Sequence, residues 1–253
     1  MRVLGTTALL ACAMMASICA AQQASDGKGA YSRVYEFSAF ADYSDTSSHI
    51  LMGASRQRSL GDIGFGYTRR VLHFHGSDLA YHTEVRPVVF ESDPVAITSY
   101  YFPPFDGNPS QTETLTGVFA NKCTPGTSNF TYTDRTNNQT NTGVVTITCA
   151  TQWTFAQSFL PLGFKYSMRT GHRLQPYIIG TLGILYGTRP IPIATAGEFN
   201  YAFDFGAGVE LFRSHQRAVA VEYRYHHFSN HGTAPDNPGV DNMMLNVSYN
   251  FGR

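Results

Sequence analysis

Eight stretches of this chain alternate between apolar and polar residues with a period of two. They cover about residues 32–44, 59–74, 79–92, 155–169, 173–187, 198–213, 216–230 and 241–253. That period belongs to a β-strand, whose successive side chains point to opposite faces. Ile63, Phe65 and Tyr67 oppose Asp62, Gly64, Gly66 and Thr68. Tyr81, Thr83, Val85 and Val89 oppose His82, Glu84 and Arg86, and Tyr201, Phe203, Phe205, Val209 and Leu211 oppose Asp204, Gly206, Gly208 and Glu210. One face is therefore apolar and aromatic, while the other carries charges and glycines. A soluble sandwich would bury the first face; a membrane barrel turns it out to lipid and encloses the second. The strands, at about 13–17 residues, have the length of tilted spanning strands with extensions. The connections alternate between short (75–78, 170–172, 214–215) and longer (45–58, 93–154, 188–197, 231–240), as short periplasmic turns and longer outer loops do. The expected fold is all-β: an eight-stranded antiparallel transmembrane β-barrel of the outer membrane, with both ends of the wall on the periplasmic side. Closure leaves no strand edge unpaired in lipid.

The beginning of the chain supports export. Arg2 precedes an apolar run from Val3 to Ile18, and small residues follow through Cys19, Ala20 and Ala21. This pattern reads as a secretory signal over residues 1–21. A lipoprotein reading would use Cys12, which sits too early in the apolar run. Residues 22–31 are then a periplasmic N-terminal segment, and 32–253 the barrel with a long extracellular loop at 93–154. No later apolar run reaches the roughly 20 residues of a membrane helix. The 18 basic and 18 acidic residues balance without a basic block, which argues against nucleic acid as a partner.

Cys123 and Cys149 remain after processing and are expected to pair in a disulfide. Such a bridge closes a loop of about 27 residues and stabilises by roughly 3 kcal/mol. Neither cysteine belongs to a CxxC or Cys/His cluster, and His73, His75, His172 and His215 have no ligand spacing, so no metal site is expected. The 93–154 connection is rich in Thr, Asn, Pro and Gly and holds two short β-prone runs, 130–133 and 144–148. It reads as an outer loop with a disulfide-tied hairpin: a lid, an adhesive element or a decoration. Glu36, Asp62, Glu84, Arg86, Asp204, Glu210, Glu222 and Arg224 form the expected polar lumen, filled by side chains rather than open to solutes. The closing strand ends in Leu245, Val247, Tyr249 and Phe251, a pattern like the signal read by the barrel-assembly machinery during biogenesis.

The last two strands place three chemically capable residues on the apolar face. Val219, Val221, Tyr223 and Tyr225 are continued in parity by His227 and Ser229; Met243, Leu245, Val247 and Tyr249 are preceded in parity by Asp241. Residues two apart on a strand face lie about 6.5–7 Å apart at Cα, a gap an imidazole can lean across. Nucleophile, base and orienting acid is the logic of serine hydrolysis. Asn230, Asn237 and the backbones of Gly232 and Gly239 are candidate oxyanion donors. Polar residues at a barrel rim can equally serve only to meet headgroups and water, and His226, on the lumen face, reads as structural.

The run Tyr225-His-His-Phe-Ser-Asn230 followed by Asn237-Pro-Gly-Val-Asp241 resembles the lipid A 3-O-deacylase (PagL-like) family. The shared pattern is His-x-Ser-Asn, an Asn eight residues after the serine and an acidic residue twelve after it. The resemblance implies an eight-stranded outer-membrane barrel with Ser229 as nucleophile, His227 as general base and Asp241 as orienting acid. Asn237, together with Asn230, would assist the oxyanion. It implies lipid A of lipopolysaccharide in the outer leaflet as substrate, membrane lipids as surroundings, an active site facing that leaflet, and no cofactor. Three features depart from the pattern: an aspartate where glutamate is usual, the bulky His231 after Asn230, and the long 93–154 insertion. Two other readings stand beside this one, a non-enzymatic barrel acting as anchor or adhesin and an outer-membrane phospholipase.

Overall fold

A computed structural model describes residues 31–44, 50–104, 108–133 and 138–253. The expected signal, 1–21, and residues 22–30 of the expected periplasmic segment lie outside the described residues. The strands are β1 (Tyr35–Ser44), β2 (Ser59–Phe74), β3 (Ser77–Phe102), β4 (Gln111–Val118), β5 (Gly126–Thr133), β6 (Thr140–Met168), β7 (Leu174–Gly187), β8 (Phe199–Phe212), β9 (Arg217–Ser229) and β10 (Val240–Gly252). Eight of them close a ring: β1 pairs with β10 and β2, and the order runs β10-β9-β8-β7-β6 until β6 meets β3. Every pairing in the ring is antiparallel. The eight wall strands fall where the alternation placed them.

The pleat sorts side chains as the period-two pattern requires. Phe65, Val221 and Leu245 point outward and are about half exposed, at 54%, 49% and 52%. Their neighbours Glu84, Arg86, Asp204, Glu222 and Arg224 are buried. An outward belt of Phe, Tyr, Leu and Val around a buried charged interior is stable only in lipid. The protein is an outer-membrane β-barrel.

All eight acids and bases expected in the lumen are buried there. Arg86 donates to Glu84 at 2.6 Å and also to Asp204; Arg224 donates to Glu222 at 2.7 Å and to Glu84 at 3.1 Å. Lower down, Lys165 bridges Glu36 at 2.9 Å and Glu210 at 3.0 Å, and Arg33 also pairs with both acids. Lys165 and Arg33 were not anticipated as lumen residues. The voids between these groups measure about 30 Å³ and 20 Å³. A single water needs about 10–15 Å³ by this measure, so the interior is a plug of paired charges with room for a few waters. At the outer end, Leu60, Val89, Leu160, Leu185, Phe228, Val240 and Met244 form an apolar layer above the charges.

The long connection differs from its expected form. A hairpin exists there, made by β5 and the start of β6, but it is not separate from the wall. β3 and β6 stay paired from Ser77↔Met168 to Tyr101↔Val144, well past the barrel. β4 then adds to β3 and β5 to β6, giving a four-stranded outer sheet continuous with the barrel. β4 and β5 are Thr-rich and exposed on both faces, so β-branching supports extended backbone while the apolar alternation that marks a half-buried strand is missing. The expected disulfide is present: Cys123, between β4 and β5, joins Cys149 of β6, with Cα atoms 6.0 Å apart.

Candidate active site at the outer rim

Antiparallel register brings the candidate residues together. Asp241 of β10 lies directly opposite His227 of β9. On the other side of β9, Ser229 faces Tyr201 and His227 faces Phe203 of β8. His227, Ser229 and Asp241 share the parity of the outward residues Val221, Tyr223, Leu245 and Val247, so they belong to the lipid-facing side of the wall.

His227 Nδ1 lies 2.7 Å from Asp241 Oδ1. A carboxylate in this bond accepts, so Nδ1 carries the hydrogen and Nε2 keeps its lone pair. This is the tautomer a general base needs. Asp241 is fully buried although it sits on the outward face. Residues 50–53, before β2, fold over it. Backbone N–H groups of Ile50, Leu51 and Met52 donate to Oδ2 at 3.1, 2.8 and 3.0 Å, and that of Gly53 donates to Oδ1 at 2.8 Å. The Tyr225 hydroxyl adds a bond to Oδ1 at 2.7 Å. So many donors stabilise the charged carboxylate against its desolvation.

Ser229 is half-buried, and its hydroxyl makes no hydrogen bond among the described residues, His227 included. Nucleophile–base bonds are commonly loose without substrate. Behind the site, the inward Phe228 and Val240 belong to the apolar layer and keep lumen water away.

Three of the four candidate oxyanion donors separate clearly. Asn230 is buried, and its side-chain amide donates to the carbonyls of Ala196 and, at 2.7 Å, Asp236. Its Oδ1 accepts from Gly232 N–H at 2.8 Å. Both hydrogens of the Asn230 amide and the Gly232 N–H are thus engaged inside the loop. Asn237 accepts from the Asn230 backbone at 3.1 Å through Oδ1. That leaves its NH₂ as the donor facing solvent. His231 (φ 52°) and Gly232 (φ 79°) form the two left-handed positions of a tight turn closed by Thr233 N–H to Asn230 C=O at 3.1 Å. The bulky His231 ring is carried outside this turn, exposed to solvent.

Several supporting residues escaped the sequence reading. Tyr225 was assigned only to the apolar face, although its parity with His227 was visible. The Ile50–Gly53 segment carries no recognisable motif. Arg58 is fully buried and ties four outer segments, through Asp93 Oδ1 at 2.9 Å and the carbonyls of Arg56 (2.8 Å), Phe119 (2.9 Å), Ala120 (3.0 Å) and Pro192 (2.9 Å).

The fold and site define a class, the outer-membrane β-barrels, here with a serine, a carboxylate-bound histidine and an exposed amide at the outer rim. Comparison narrows it. A model of the family described as lipid A 3-O-deacylase (PagL) matches residues 115–250, more than half of the chain and all of the His-x-Ser-Asn region. The chain belongs to this family. Among solved structures it is similar to the outer membrane enzyme PagL, at 12% identity and a TM-score of 0.48 over 85% of this chain and 99% of that one. It is also similar to Neisserial surface protein A (11%, 0.39, covering 87% and 97%) and to the outer membrane protein OprG from Pseudomonas aeruginosa (12%, 0.34, covering 87% and 98%). No curated protein matches the chain.

Proposed function

We propose that this protein is a serine esterase of the outer leaflet that removes the 3-O-linked acyl chain from lipid A of lipopolysaccharide. The observation that carries the reading is the 2.7 Å His227–Asp241 bond, with Ser229 two residues along the same lipid-facing strand. Family membership supplies the substrate class.

The chemistry follows from the geometry. His227 Nε2 accepts the Ser229 proton as Oγ attacks the ester carbonyl. The negative charge that develops on the carbonyl oxygen is met by the Asn237 amide. Collapse of the tetrahedral intermediate breaks the ester bond, His227 returns the proton to the departing sugar hydroxyl, and an acyl-serine remains. Water, deprotonated by His227, attacks that ester; the Ser229 Oγ–carbon bond breaks, His227 returns the proton to Oγ, and a 3-hydroxy fatty acid leaves. Asp241 stays ionised throughout and stabilises the imidazolium. Because Ser229 lies on the lipid-facing side of the wall, an acyl chain reaches it sideways from the leaflet without leaving the membrane.

Mass spectrometry of lipid A from cells expressing this chain or its Ser229→Ala variant tests the reading. Loss of one 3-hydroxyacyl mass is expected only with the intact serine. An unchanged lipid A spectrum with both proteins folded in the outer membrane would overturn it; parallel loss of acyl chains from glycerophospholipid would redirect it to a phospholipase.

A further inference from the structure

Five donors outside the triad converge on one carboxylate: the N–H groups of Ile50, Leu51, Met52 and Gly53 and the hydroxyl of Tyr225. We infer that the Ile50–Gly53 turn and Tyr225 form a positioning device for Asp241, built to the reach of an aspartate, and that they set the turnover rate through His227. The inference rests on the triad reading given above.

Three features point to it. First, the turn fits the carboxylate so closely that there is no room for a side chain on Gly53. A Cβ there would lie 2.7 Å from Asp241 N and 2.8 Å from Asp241 Oδ1. Second, the turn is held from its far end, since Ala54 and Ser55 N–H groups donate to the carbonyls of Pro238 and Gly239 (3.1 Å to Gly239). The same Gly239 adopts φ 55°, and a Cβ on it would come within 3.1 Å of His227 Cε1. The β1–β2 connection, the β9–β10 loop and the imidazole therefore pack as one unit. Third, the Tyr225 ring lies parallel to the His227 ring, 6.5 Å between centroids and 9° between planes, and its hydroxyl shares Oδ1 with His227. Oδ1 thus holds Tyr225, Gly53 and His227 in one arrangement, while Oδ2 takes the other three N–H groups. A carboxylate pinned at both oxygens cannot rotate away from Nδ1 when the imidazole becomes charged.

The device is fitted to the length of an aspartate. Direct cross-strand pairing puts Asp241 opposite His227, and the turn fills the space an extra methylene would occupy. Asp241→Glu should therefore impair this protein.

The test compares Tyr225→Phe, Gly53→Ala and Asp241→Glu with the parent in detergent–lipid A micelles. Two quantities are read: kcat and KM, and the downfield proton resonance of His227 Nδ1–H in ¹⁵N-labelled protein. The expected result is a ten- to hundred-fold lower kcat with KM within two-fold, and a weakened or shifted Nδ1–H resonance, in barrels that keep their heat-resistant folded mobility on gels. Tyr225→Phe removes one oxygen atom and is the variant least able to misfold. Unchanged kcat and resonance in Tyr225→Phe and Gly53→Ala, or full activity of Asp241→Glu, would overturn the inference. If the parent leaves lipid A intact while the resonance still responds to Tyr225→Phe, the substrate reading fails and the positioning device stands.

Discussion

At the residue scale, two neighbouring asparagines do different work. The Asn230 side chain is engaged by three hydrogen bonds inside the loops, whereas the Asn237 side chain is exposed and its Oδ1 accepts from Asn230 N–H. Asn237→Ala should lower kcat on lipid A by about 10²–10³-fold, the usual loss for one oxyanion donor, with little change in KM or in unfolding. Asn230→Ala leaves buried carbonyls unpaired, at about 1–3 kcal/mol each. It should show as a lower midpoint for loss of the loop structure and a fall in activity that tracks it. Steady-state kinetics beside urea unfolding in micelles separates the two. Equal effects of the two substitutions on kcat, with no change in stability for either, would show the division of labour to be wrong.

At the element scale, the outer sheet and the barrel wall are one pleated surface held in different ways. The wall is sealed by ring closure, but β4 and β5 each hang from a single neighbour and bury little. The Cys123–Cys149 bridge ties the connection between them to β6. Replacing both cysteines by serine should destabilise this outer sheet by roughly 3 kcal/mol and leave the wall intact. Hydrogen exchange should accelerate in β4 and β5 and stay slow in β9 and β10; acceleration throughout would mean that the bridge stabilises the whole barrel. Arg58 connects the same sheet to the loop after β7, so the outer segments around the candidate site form a single framework.

At the scale of the whole molecule, the barrel inverts the soluble arrangement, with its apolar surface outside and its ion pairs inside. The central layer joins Arg86 and Arg224 to Glu84, Glu222, Asp62 and Asp204 within 4 Å. Removing one partner from such a network strands a buried charge and costs about 3–5 kcal/mol. Arg224→Met should lower unfolding stability in micelles by that amount while the folded fraction keeps its deacylase turnover, because the apolar layer separates the charges from the rim. A loss of turnover in fully folded Arg224→Met would show that the lumen charges reach the site.

Alternation along the chain was enough to determine the eight wall strands, which face of each meets lipid, the charged residues of the lumen and the membership of His227, Ser229 and Asp241 in one face. A period of two is a local property of the backbone, and lipid makes the choice of outward face unambiguous. The disulfide was legible too, since two cysteines admit one pairing. β4 was hidden because a Thr-rich segment exposed on both faces carries no apolar alternation, and β5 was legible only as the short run 130–133. Only the tertiary structure decided how the site is assembled. Hydrogen bonding across β9 and β10 put Asp241 opposite His227, and the return of residues 50–53 over Asp241 joined backbone groups nearly 190 positions away in sequence. Backbone N–H donors have no side-chain signature, and a glycine chosen for close approach looks like any other glycine until the chain around it is folded. For the same reason the difference between Asn230 and Asn237 was invisible beforehand: it lies in which carbonyls the β7–β8 loop brings within reach.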